Sequence, residues 1–277
     1  MSIDDSNISV DLTIYREYIL HLPIEFNEIK AKFQKIDFIL GFASEDYNIQ
    51  GKGTGYFKPT WNVDDLSPEK LKTLKENNPQ VRVILSIGGV GTEYPFNPIE
   101  KHQWISNALN SIRQIIIQYD RIYRYHNIID GIDIHYDVIK SSRNEFSYLI
   151  GDVIKQLKND TRLFINVVSI APTAHVQSYY HKLYSDHKDI IDLVDYQFYN
   201  QKIYSKDEFV ELYKNLVGAY GSYKVLPGYS NPYDPIIIEG IIYLIKNKLI
   251  PGIFYWNPNN STIDTNTSSL ENILQNL

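Results

Sequence analysis

Cysteine is absent from the chain and methionine occurs once. No disulfide and no thiolate metal site can therefore contribute to the fold or to its chemistry. Long apolar runs are missing as well. Nothing approaches the roughly 20 consecutive apolar residues that span a bilayer, and residues 1–13 are polar and acidic, without the apolar core of a secretory leader. The reading is a chain with no membrane partner, expected in the cytoplasm or a storage compartment. Basic clusters are also lacking. Against 33 Asp and Glu stand 27 Lys and Arg, a formal net charge of -6, and no Lys/Arg run supplies the electrostatic footprint of a nucleic-acid binder. A neutral partner is compatible with that balance.

What is present is globular in character. Hydrophobic residues make up 43% of the chain and aromatics 13%, enough to bury a sizeable core. Short runs rich in Ile, Val, Tyr and Phe recur at 15–20, 36–44, 81–89, 128–137, 163–171, 191–200, 224–230 and 252–257. Segments with helical spacing follow them at 25–34, 68–77, 99–119, 143–159, 176–187, 206–219, 235–248 and 268–277. Strict alternation of this kind predicts parallel strands joined by right-handed crossovers, and eight such units close into a (β/α)₈ TIM barrel over residues 14–277, preceded by a polar tail at 1–13. Ser67 before Pro68, and Ser205 three residues before Glu208, are helix-start signals. The longest connection is 45–66, whose Gly51-Lys52-Gly53-Thr54-Gly55 run reads as a loop. Its Tyr56, Phe57 and Trp61 either pin that loop to the barrel rim or stack on a ligand. The glycines lack the spacing and terminal Lys-Ser/Thr of a phosphate loop.

The chemistry concentrates in the fourth predicted strand, Asn127-Ile-Ile-Asp130-Gly131-Ile-Asp133-Ile-His135-Tyr-Asp137. Its alternation puts Asp133, His135 and Asp137 on one face. Three ionisable groups on one face must either pair with one another or open onto a cleft. An internally paired charge cluster is the expected arrangement. Asp-x-His-x-Asp offers metal-ligand types, but no second cluster completes a ligand set, so neither a metal nor another cofactor is expected. His175, beyond the fifth strand, is expected in solvent. Glu93, Tyr94 and Asp46 fall in loops at the same end of the barrel, where no motif gives them a role.

The same strand resembles the signature of glycoside hydrolase family 18, the chitinases, which reads Asp-Gly-x-Asp-x-Asp-x-Glu. Asp130, Gly131 and Asp133 match; His135 stands where the family has its middle aspartate and Asp137 where it has the proton-donating glutamate. Further matches are Ser86-x-Gly88-Gly89 at the third strand end, Gln197-Phe198-Tyr199-Asn200 at the sixth, and Trp256 at the eighth. The resemblance implies a family 18 barrel in which Tyr199 would contact a substrate acetamido group and Trp256 would lie under the sugar. Gly88 and Gly89 would then permit close approach of a ligand. It also implies a vestigial site of Asp130, Asp133, His135, Asp137 and Tyr199, with N-acetylglucosamine oligomers as the partner class. Family 18 chemistry relies on the substrate's own acetamido oxygen plus one carboxylic acid. Asp137 is one methylene shorter than glutamate and falls short by about 1 to 1.5 Å, where misplacement of about 1 Å can cost a hundredfold. A non-enzymatic, storage-type protein is the favoured expectation. A lectin-like binder of chitooligosaccharides and an altered glycosidase using Asp137 as acid stay open.

Overall fold

The computed structural model describes residues 12–20, 33–120, 127–230 and 233–257. In chain order its elements are β1 (Ile14–Ile19), β2 (Lys35–Tyr47), β3 (Gly53–Pro59), α1 (Pro68–Asn77), β4 (Val81–Gly89), α2 (Lys101–Asp120), β5 (Ile129–Tyr136), α3 (Arg143–Asn159), β6 (Val167–Ile170), α4 (Gln177–His187), β7 (Leu193–Tyr196), α5 (Lys206–Tyr220), β8 (Val225–Ser230), α6 (Pro235–Lys246) and β9 (Gly252–Trp256). Every strand except β3 pairs in parallel, in the order β1-β9-β8-β7-β6-β5-β4-β2, and the β1–β2 pairing closes the ring. The result is a (β/α)₈ barrel. The helix expected at 25–34, apart from residues 33 and 34, which are not helical, the one at 268–277 and the tail through residue 11 lie outside the described residues.

Two apolar clusters follow from the strand alternation. The larger fills the space between sheet and helices. In α3, for example, the buried residues Phe146, Leu149, Ile150, Val153, Ile154 and Leu157 keep the three-and-four spacing of one helix face. The smaller, with Ile14, Tyr18, Ile39, Ile84, Val167, Leu193, Leu226 and Phe254, plugs the barrel interior. The interior is thus a packed core, as it is in barrels of this type. Helix starts agree with the sequence. Ser67 accepts from the Lys70 N–H ahead of Pro68, and Ser205 accepts from the Glu208 N–H. The Glu208 carboxylate returns to the Tyr204 N–H, one residue earlier than a reciprocal box would have it.

The expected 45–66 loop is a correction. β2 extends to Tyr47 and β3 runs back antiparallel to it, so the glycine-rich run is the turn and second strand of a hairpin lying over α2. Phe57 and Trp61 are buried at 5% exposure, the first against Trp104 and the second donating its indole N–H to the Tyr119 hydroxyl at 2.8 Å. They fasten the hairpin and are not free to stack on a sugar; Tyr56 alone of the three is exposed. No helix among the described residues is long and apolar enough to cross a membrane. The sixth predicted strand is shorter than expected too. β7 stops at Tyr196, and Phe198–Asn200 form a 3₁₀ turn that carries Tyr199 over the barrel mouth.

Candidate active site

β5 enters the site between β4 and β6, and the register places Ser86 and Ser169 directly beside Asp133. Both hydroxyls donate to that carboxylate, Ser86 to Oδ2 at 2.8 Å and Ser169 to Oδ1 at 2.7 Å. Tyr18, reaching across from β1, donates to Oδ2 at 2.8 Å. Asp133 is fully buried, and three hydroxyl donors satisfy it without a cation in direct contact.

The Tyr18 hydroxyl also fixes the imidazole of His135, which is 1% exposed. Tyr18 has one hydrogen and gives it to Asp133, so at 3.2 Å it can only accept from His135 Nδ1, which must carry a hydrogen; a hydrogen bond from Nε2 to Asp137 then needs a second one on the ring. The ring edge packs against Tyr18, Phe42 and Trp256. On the other side, Nε2 lies 3.5 Å from Asp137 Oδ1. The expected cluster is therefore real but divided. His135 and Asp137 face each other, whereas Asp133 meets His135 only through Tyr18.

Asp137 emerges just beyond β5 with its side chain 14% exposed. The Gly91 N–H, in the loop after β4, donates to Oδ2 at 2.8 Å, and the Gln197 amide nitrogen lies 3.4 Å from Oδ1. Burial alone would raise the Asp137 pKa, but the imidazole of His135, the Gly91 N–H and the Gln197 amide outweigh it and hold the carboxyl below its ordinary range. Gln197 is oriented by two strong bonds, donating to the Ala171 carbonyl at 2.8 Å and accepting from the Asn200 amide at 2.7 Å. Burial, followed by the charges of Asp137, Asp195 and Asp133, pushes the Tyr199 hydroxyl well above its usual range, so it stays a neutral donor. That hydroxyl is buried without a hydrogen-bond partner among the described residues. Trp256 stays partly exposed at the mouth, edge-on to Tyr18 at 5.3 Å.

Not every expected residue joins the site. Asp130 points outward at the opposite end of β5, held by the Lys75 ammonium at 2.6 Å and the Val83 N–H at 2.8 Å, so it anchors α1 and takes no part in the mouth. Gly88, at φ 119°, is needed because a Cβ would overlap the His135 carbonyl oxygen; Gly89 leaves room for the Tyr94 ring. Both glycines thus serve contacts within the chain. His175 is exposed, as expected. Among the described residues no three His, Asp or Glu side chains converge as metal ligands would. Tyr18, Ser169 and Gln197 belong to the site although sequence reasoning did not single them out. Gln197 sat inside a motif already quoted, whereas Tyr18 and Ser169 carried no signal beyond strand alternation.

A parallel eight-stranded barrel with an Asp-Gly-x-Asp row, its Ser and Tyr donors and a tryptophan at the last strand defines a class, the family 18 type of glycosidase barrel. Comparison of the sequence agrees: the profile of glycosyl hydrolases family 18 matches residues 19–224, and the chain belongs to that family. It is 32% identical to Chitinase 1 of Tulipa saxatilis subsp. bakeri, over 93% of this chain and 84% of that one. To the RuBisCO-associated protein of Glycine max it is 24% identical over 68% of this chain and 65% of the other. Among solved structures it is similar to the catalytic domain of a family 18 chitinase from the fern Peteris ryukyuensis. That match has 29% identity and a TM-score of 0.78, and covers 95% of this chain and 98% of the fern domain.

Proposed function

We propose that this chain is a non-hydrolytic member of family 18 and a storage-type protein. It resembles narbonin, a legume seed protein with this barrel and no established enzymatic activity, which also has a histidine in place of the middle aspartate. One observation carries the reading. The only carboxyl at the acid's position, Asp137, is one methylene short and is held below the ordinary carboxylate range by His135, Gly91 and Gln197. A general acid must hold its proton at the working pH and reach the leaving oxygen within hydrogen-bond distance. Asp137, short and held towards ionisation, is poorly suited to both tasks, and this argues against the altered-glycosidase reading. The absence of cysteine and the single methionine suit a reserve of nitrogen with little sulfur.

The expected result is no measurable turnover of a chromogenic chitooligosaccharide by the purified protein. A rate within tenfold of that of a plant family 18 chitinase assayed alongside would overturn the proposal. Binding of N-acetylglucosamine oligomers is the second reading, favoured by a Tyr199 hydroxyl without a partner among the described residues and a partly exposed Trp256, both packed on the interior cluster. Calorimetric titration with chitotetraose separates it from the storage reading, because a purely storage-type protein gives no saturable heat.

A further inference from the structure

Outside the site, one buried carboxylate has no place in the function described above. Glu45 lies near the outer end of β2, 3% exposed, between the β2–β3 hairpin and α2. Its Oε1 accepts from the Gly55 N–H at 2.7 Å and from the Trp104 indole N–H at 2.6 Å, so it joins the returning strand of the hairpin to the helix beneath. Gly53 lacks a side chain where the Glu45 carboxylate packs, since a Cβ there would overlap it. Its Oε2 is buried with no hydrogen-bond partner among the described residues, and the Tyr136 hydroxyl is likewise buried and unpartnered. The titratable groups whose fields couple to Glu45 are Asp46 on β2, Tyr47 on the same strand and Tyr136 on β5, and none of them is a cation. The nearby Lys58 is exposed and pairs with Asp46. Burying a carboxylate with one unbonded oxygen and no counter-ion favours its protonated form.

What this carboxylate holds down extends to the barrel mouth. The hairpin is laced to the loop between β4 and α2: Gly53 N–H donates to the Asn97 carbonyl at 2.8 Å, Ile99 N–H to the Gly53 carbonyl at 2.9 Å, and the Tyr47 hydroxyl to the Pro95 carbonyl at 3.0 Å. Across the hairpin turn Lys52 Nζ donates to the Asn97 side-chain oxygen at 2.9 Å, and the Asn97 amide donates to the Gly51 carbonyl at 2.8 Å. That same loop supplies the Gly91 N–H to Asp137 and pairs through Phe96 with Val138 and Lys140. We propose that Glu45 is the latch of a pH-sensitive clamp, which seals the β2–β3 hairpin on α2 when protonated and releases the hairpin and the β4–α2 loop from the rim of the mouth when ionised.

Burial raises the Glu45 pKa from 4.5 to about 7, against the opposing pull of the Gly55 and Trp104 hydrogen bonds. Its contribution to the closed state is therefore complete below about 4.5 and is lost as pH rises through about 7. Opening that wets Glu45 should become easier by about a hundredfold between pH 5 and pH 8. The inference concerns the hairpin and stands whether or not the mouth turns over or binds sugar.

Hydrogen exchange of the amides at 53–57, normalised to the intrinsic rate at each pH, reads it directly. In the unmodified protein their protection is expected to fall about a hundredfold from pH 5 to pH 8, while the amides of β5 keep theirs. Glu45→Gln should abolish the fall, and Asp46→Asn, on the same strand but exposed, should leave it in place. The proposal is overturned if protection of the unmodified hairpin is flat across that range, if Glu45→Gln retains the fall, or if Asp46→Asn removes it. The profiles of the unmodified protein and of Asp46→Asn decide the matter even if Glu45→Gln does not fold.

Discussion

On the non-hydrolytic reading proposed above, His135 and Asp137 disarm the site by opposite means. The imidazole occupies the position of an orienting carboxylate and is locked by Tyr18, Phe42 and Trp256. The shortened acid is held ionised by the groups around it. Restoring both should therefore restore chemistry, because Asp133 with its three hydroxyl donors, Tyr199 and Trp256 are still in place. Neither His135→Asp nor Asp137→Glu alone is expected to raise turnover of a fluorogenic chitooligosaccharide above background. The double variant should exceed both by about a hundredfold or more, since residues that act as a unit are strongly non-additive. A double variant that folds, binds the oligomer and still does not cleave it would show that the proposed loss of hydrolysis does not rest on the acid row alone. The row itself could be read from the sequence because a strand alternates. Its hydrogen-bond partners could not: Tyr18 and Ser169 lie far from Asp133 in the chain, and only barrel closure and the β5–β6 register bring them to it.

At the scale of elements, the order of strands and helices was legible throughout and in places to the residue, with α3 matching its predicted span and β4 matching 81–89. The hairpin was not. Gly51, Gly53 and Gly55 suggested a loop, yet only Gly51 serves the turn, while Gly53 clears space for Glu45 and Gly55, at φ 78°, sits where a Cβ would overlap the Trp104 carbonyl. The demand at Gly55 arises from a helix nearly fifty residues further on, and that at Gly53 from how the hairpin folds Glu45 back over it, so no local pattern could announce them. Gly88 is the comparable position inside the barrel. Its φ of 119° is costly for any other residue, and the β5 backbone at His135 leaves no room for a methyl group. Gly88→Ala should lower the urea midpoint by the equivalent of about 1–3 kcal/mol through overpacking at the β4–β5 seam. Gly218→Ala, at an exposed position of α5 where a Cβ meets nothing within 4 Å, should leave it unchanged or slightly higher. Equal midpoints for the two variants would contradict the seam as the reason for Gly88.

For the molecule as a whole, the barrel interior is tied by a cation no motif revealed. Arg16 on β1 is fully buried and reaches Asp37 on β2 at 3.2 Å, Ser169 on β6 at 2.8 Å and Asp195 on β7 at 3.1 Å, so a single side chain spans the ring just below the site. Asp37 has a second cation in Arg82, at 2.6 Å, but Asp195 has only Arg16 among the described residues. The Asp195 contact is one of charge, since neither carboxylate oxygen is aligned to accept a hydrogen bond. Burial raises the Asp195 pKa to about 8, Arg16 pulls it down, and Asp133 and Asp37 push it up again. Arg16→Met removes the one lowering influence, and breaking a buried pair in this way typically costs about 3–5 kcal/mol. The loss should depend on pH in a definite direction. With its folded pKa above the unfolded value, Asp195 favours folding most when protonated, and that stabilisation is lost as pH rises through the folded pKa. Urea unfolding of Arg16→Met should therefore show a larger deficit at pH 9 than at pH 5. Adding Asp195→Leu should recover much of the deficit at pH 9, because the stranded carboxylate is then gone. A deficit that is the same at both pH values, or that Asp195→Leu deepens at pH 9, would mean that Arg16 stabilises the barrel by filling space and not by neutralising Asp195.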